Sequence, residues 1–190
     1  MANTEIPGLY RCIYCGKTFP RGKQVLGHIV GKHANITRLR KTTVQVRHLT
    51  SLQIGYLAAF VDGEGGTQIT KWKRKGRAYA ISLHPVVYFT NTNREVIHTL
   101  RAWLRAGVVV VSRQRPGCKT MYILHVTGIR NIASLLSLLE PHLIVKRRRA
   151  RLMLQFCRSR LGPRGRVGRK FNQEELKLYK TLRRLNKKGE

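Results

Sequence analysis

The chain has 190 residues, 38 of them lysine or arginine and 8 aspartate or glutamate, for a formal charge of +30. Hydrophobic residues make up 42%, enough for a packed core, which excludes wholesale disorder. No apolar run reaches membrane length and MANTEIPGLYR carries no apolar signal core, so an intracellular, non-secreted protein with a polyanionic partner, nucleic acid above all, is expected.

The first segment with a pattern is residues 10–33, YRCIYCGKTFPRGKQVLGHIVGKH. Cys12, Cys15, His28 and His33 stand in the spacing C-x2-C-x12-H-x4-H. A hairpin knuckle presents two thiolates, a helix presents two imidazoles about one turn apart, and the four close a tetrahedron around Zn²⁺. So short a segment buries no sufficient core alone, and the metal supplies the folding free energy. Tyr10, Phe19 and Val25 fall where the apolar residues of a Cys2His2 finger stand. Base-reading positions counted back from His28 are Arg21, suited to guanine, Gln24, suited to adenine, and Gly27, which has no side chain to offer. The remaining cysteines, Cys118 and Cys157, are isolated, so no disulfide framework is expected. The expected division is a zinc finger at 1–34, a basic linker at 35–50 and one larger domain at 51–190. Extended, the linker reaches on the order of 50 Å.

Residues 51–62 (SLQIGYLAAFVD) predict a buried helix stopped by GEGG. Strands follow at 66–74 and 78–90, separated by the basic turn KRKG; Pro85 marks the second as an edge strand or a bulge. Residues 93–106 open on an Asn cap and space Val96, Ile97, Leu100, Trp103 and Leu104 as an amphipathic helix. Strands at 108–115 and 119–126 join through Pro116 and Gly117. Helices are predicted at 128–139, 142–160 and 172–188. From residue 51 the order is αββαββα with further helices. The class is α+β with an antiparallel sheet, preceded by a small ββα finger.

Asp62 is the only aspartate, and between Glu5 and Glu95 the only acids are Asp62 and Glu64. A carboxylate facing phosphate is unfavourable unless a divalent cation lies between them. LAAFVDGEG (57–65) resembles the signature of the LAGLIDADG homing endonucleases, and Gly55 and Tyr56 fit as well. FTNTNREVI (89–97) and PHLIVKRRR (141–149) are similar to further stretches of that family, and the αββαββα order is its core fold.

The resemblance implies a site-specific double-strand DNA endonuclease of the kind encoded by mobile introns. The single copy of the signature implies a homodimer, with the small residues Gly55, Ala58 and Ala59 at the helix–helix interface. Glu64, with the Gly63 carbonyl, would hold catalytic Mg²⁺, or Mn²⁺. Lys146 would act near the scissile phosphate, and Asn91 would organise active-site solvent. Asp62 is expected to support the helix end. The family lays its sheet in the major groove, which implies a DNA-facing set of Gln68, Thr70, Trp72 and Arg74, with Ser82 and His84 on the next strand. Lys73, Lys75 and Arg77 would hold phosphate, and Arg113 and Arg115 would read guanine. The competing readings are a non-catalytic DNA-binding regulator and an RNA-binding intron maturase of the same fold.

Overall fold

The computed structural model describes residues 10–12, 15–32, 48–73, 81–112, 118–161 and 170–188. In chain order the elements begin with β1 (Tyr10–Arg11), β2 (Thr18–Phe19) and helix α1 (Gly22–Lys32). Then come α2 (Ser51–Glu64), β3 (Gly65–Lys73), β4 (Ile81–Asn91) and α3 (Arg94–Leu104). Next are β5 (Val108–Val111), β6 (Tyr122–Thr127), α4 (Ile129–Leu139) and a 3-10 turn at Glu140–His142. Helices α5 (Arg147–Leu161) and α6 (Gln173–Lys188) close the chain. Strands β3 to β6 form one sheet in the order β3-β4-β6-β5. The expected α+β class with an antiparallel sheet is what forms.

The described residues fall into two compact units, one drawn from 10–32 and 89–125, the other from 48–88 and 126–188. In the first, β1 and β2 pair antiparallel, Tyr10 opposite Phe19. The connecting knuckle closes through Cys12 N donating to Lys17 O at 2.7 Å and Gly16 N donating to Cys12 O at 2.8 Å. Gly16 sits at φ 75, where a side chain would be strained. Strand β5 pairs antiparallel with β6, setting Val108 opposite His125 and Val109 opposite Leu124. Helix α3 starts where Asn93 Oδ1 accepts from the amides of Glu95 and Val96. It packs on β5, with Ile97, Leu100 and Leu104 fully buried.

In the second unit α2 begins with a capping box: Thr50 Oγ1 accepts from Gln53 N, and Gln53 Oε1 accepts from Thr50 N. Helices α4, α5 and α6 pack in succession, and α5 and α6 also cover β3. Glu175 ties this stack together. Its carboxylate accepts from Asn172 N at the start of α6 and from Ser159 Oγ on α5, and it pairs with the buried Arg160 at 3.5 Å.

Three expectations shift. Helix α2 runs on through Glu64, so helix passes into strand without a loop. A Cβ at Gly65 would lie 2.7 Å from Tyr88 O, which is why glycine stands at that junction. Helix α5 begins at Arg147 rather than 142, because the amides before it are held from outside the helix, as described below. Strand β4 is an interior strand, not an edge. Its burial alternation breaks at Pro85–Val87, three consecutive buried residues, so the proline marks an irregularity within the sheet.

Candidate functional site

Helix α2 ends in a two-way clamp. The Asp62 carboxylate accepts three successive backbone amides: Ile144 N at 2.6 Å and Val145 N at 3.2 Å on Oδ2, and Lys146 N at 2.8 Å on Oδ1. In return the Lys146 ammonium donates to Val61 O at 2.9 Å, Gly65 O at 2.8 Å and Gly63 O at 3.4 Å. A helix C-terminus leaves carbonyls without intrahelical partners and carries partial negative charge. The lysine answers both. Burial pushes Lys146 below its ordinary lysine range; Arg149 adds to this, and Asp62 opposes it.

The clamp brings together Gly63, Glu64 and Lys146, three of the expected site residues, at one helix end. Asp62 is engaged as a support of that end. Glu64 is the last residue of α2, and its side chain is exposed. The carbonyls of Val61 and Gly65 and the amides of residues 144–146 belong to the same site and carry no side-chain signal. Asn91 lies in the other unit, where its Oδ1 accepts from Asn93 N at 2.7 Å, ahead of α3.

The described strand residues expected to face DNA share one surface of β3 and β4. Trp72 is 41% exposed and its ring lies 4.5 Å from that of His84. His84 Nε2 is 2.7 Å from Ser82 Oγ, and Thr70 Oγ1 donates to His84 O at 3.0 Å. Gln68 is partly exposed. These contacts fix the rings and hydroxyls before any ligand arrives. Arg74, Lys75, Arg77, Arg113 and Arg115 lie outside the described residues, and of Lys73 only the backbone is described.

The outer face of α2 carries Leu52 (84% exposed), Gly55, Tyr56 and Ala59, at helical spacing. Ala58, expected in the same interface, is instead buried with Leu57 and Val61 in the chain's own core. The correction follows from the 3.6-residue period. Ala58 lies one turn from Val61 and Ile54, whereas Gly55 and Ala59 are four apart on the outside. Ile144 and Val145, beside the clamp, are also exposed, at 87% and 72%.

In the first unit the Cys12 and Cys15 thiols and the His28 ring lie within 4.8 Å of one another, and Cys15 Sγ is 3.0 Å from His28 Nε2. Ligands around tetrahedral zinc are spaced about 3.8 Å apart. The three described donors are grouped closely enough to be compatible with a small zinc site. His33 lies outside the described residues. Arg21 and Gln24 are exposed on α1, and Gly27 has open space beside it.

No family model matches the chain, and no curated protein matches it. Solved structures do. An archaeal intron-encoded homing endonuclease, I-Vdi141I, complexed with DNA, superposes with a TM-score of 0.59 at 22% identity, over 73% of this chain and 87% of that one. The homing endonuclease I-CvuI in complex with its target matches with a TM-score of 0.51 at 21% identity, over 71% and 95%. The meganuclease I-SmaMI bound to uncleavable DNA matches with a TM-score of 0.52 at 18% identity, over 72% and 45%. The chain has the fold of the LAGLIDADG homing endonucleases. Among the described residues no helix is long and apolar enough to cross a membrane.

Proposed function

We propose that the chain is a site-specific, metal-dependent double-strand DNA endonuclease acting as a homodimer. The observation that carries this reading is the end of α2. Three carbonyls, from Val61, Gly63 and Gly65, converge on a cation, the Lys146 ammonium, next to the exposed carboxylate Glu64. In a chain of charge +30 this is where a polyanion's phosphate meets negative charge, an arrangement a purely binding surface gains nothing from.

The ammonium holds Val61 O and Gly65 O closely and Gly63 O only at 3.4 Å, so the Gly63 carbonyl and the neighbouring exposed Glu64 carboxylate are hard oxygen donors that would suit a divalent metal. Bound there, Mg²⁺ would supply a nucleophilic oxygen at neutral pH and charge stabilisation at the phosphodiester. The chain's own residues do the rest. Asp62 fixes the backbone of Lys146, Lys146 brings a positive charge to the scissile phosphate, and the β3–β4 face with Gln68, Thr70, Trp72, Ser82 and His84 orients the duplex. Asn91 organises solvent around the reacting phosphate. Arg74 belongs with the DNA-facing set, Lys73, Lys75 and Arg77 hold phosphate, and Arg113 and Arg115 read guanine. That the matched structures include DNA complexes supports this reading.

The exposed face Leu52–Gly55–Tyr56–Ala59 supports an isologous α2–α2 interface, which would place two Glu64 carboxylates side by side, one per DNA strand. Cys12, Cys15 and His28, completed by His33, would hold a structural zinc.

The test is cleavage of a randomised, two-fold symmetric duplex library by the zinc-loaded chain with Mg²⁺, alongside Glu64→Gln. Defined double-strand ends that vanish in the variant are expected. Enriched binding with no cutting by either protein would leave a regulator, and preference for structured RNA over duplex would leave a maturase.

A further inference from the structure

Strand β5 reads Val108-Val109-Val110-Val111, four valines without alternation. A strand covered on one face alternates apolar with polar residues, whereas a continuous apolar run belongs to a strand buried on both. The first unit shows both covers. Val109 and its partner Leu124 are fully buried on the side of α3. On the other side Val108 joins Cys12, Val25 and Ile29 in one buried cluster, flanked by Tyr10, Phe19, Leu26 and Val110. The N-terminal metal-site segment is thus seated on β5, the last strand of the sheet order, and β1 lies against it. Edge strands need such a cover.

This seat decides which side of α1 is left outward. Val25 and Ile29 are spent on β5, and Arg21, Lys23, Gln24 and Lys32 are exposed. Residues 10–32 contain five basic side chains and no acid. We propose that the N-terminal segment is a fixed arm of the sheet that contacts duplex DNA through Arg21 and Gln24, its position set by the Val108–Val110 seat and not by the length of the intervening chain. The proposal rests on the DNA-binding reading above. A tethered finger samples many positions, whereas a seated one adds its contacts at one register, with no ordering cost on binding.

The test is hydroxyl-radical footprinting of the full, zinc-loaded chain on a duplex selected from a randomised library. The wild type should protect the segment covered by the sheet plus about three further base pairs beside it. Val110→Asp, which breaks the seat and leaves the metal ligands alone, should retain zinc and the sheet segment. It should lose the added protection and about tenfold or more in affinity. Inserting ten glycine and serine residues within 34–47 should leave the added protection where it was. Arg21→Ala with Gln24→Ala, both at exposed positions, should lose it with an unchanged Tm and lower the slope of log K against log salt by about 1. Added protection that survives Val110→Asp and blurs or moves with the insertion would overturn the proposal in favour of a tethered finger. A wild type that protects the sheet segment alone would overturn it while leaving the DNA-binding reading intact. A chain that protects no duplex at all would sink both.

Discussion

Removing the Asp62 carboxylate tests the clamp on which the candidate centre depends. Asp62 accepts three backbone amides, and hydrogen bonds to a charged acceptor are worth about 1.5–3 kcal/mol each. Simple addition overstates the loss. Ile144 and Val145 are 87% and 72% exposed, so water replaces the carboxylate at their amides. The bond to Lys146 N is part-buried, and its amide would be left poorly satisfied. Asp62→Ala is therefore expected to cost about 2–3 kcal/mol, and Asp62→Asn, which keeps one acceptor oxygen without the charge, about 1 kcal/mol. Urea unfolding reads this as a fall in midpoint at constant m. Because Lys146 answers from the other side, Asp62→Asn and Lys146→Met should couple by about 0.5–3 kcal/mol in a double-mutant cycle. An Asp62→Ala stability within about 0.5 kcal/mol of wild type would show that the clamp contributes nothing and refute the reasoning.

Three further outcomes are expected. Glu175→Ala leaves the buried Arg160 without its counter-charge and should cost about 3–5 kcal/mol by urea unfolding; a loss under about 1 kcal/mol would mean that water already serves that arginine. Burial holds the His125 imidazole below its ordinary range, so the folded state resists the proton that the unfolded state takes up below about pH 6.5. Stability from this residue is full above that pH and falls as pH drops toward the lowered value. Plots of Tm against pH for wild type and His125→Leu should diverge on the acid side, and parallel curves would count against it. Thr50→Ala removes the side-chain half of the α2 capping box and should cost about 1 kcal/mol, measured the same way; no change would indicate that the core alone sets where α2 begins.

The element order was legible because each helix carries its own period and cap: Asn93 before α3 and the apolar spacing through Leu104 are local signals. The convergence of Cys12, Cys15 and His28 was legible for the same reason, since a tetrahedral site would dictate that spacing. What could not be read is non-local. The bonds from Asp62 to residues 144–146 cross more than eighty positions, and nothing in IVK announces that its amides are taken. Hence the helix predicted from 142 starts at Arg147. Ala58 was misplaced because a run of small residues suggests an interface, while only its phase against Leu57 and Val61 shows which of them point outward. The seat of the N-terminal segment did leave a trace, in the four unalternated valines of β5.

The span of the clamp also has a consequence for the newly made chain. At about 5–20 residues per second, several seconds separate the synthesis of Glu64 from that of Lys146. Until Lys146 emerges, the carbonyls of Val61, Gly63 and Gly65 lack the ammonium that fills them, and Asp62 has no amides to hold. The carboxylate end of α2 is therefore completed late, by chain made long after it. Under the proposed endonuclease reading, an unfinished chain would carry the sheet through Thr127 but not the completed end of α2, so it would lack the centre until Lys146 is in place.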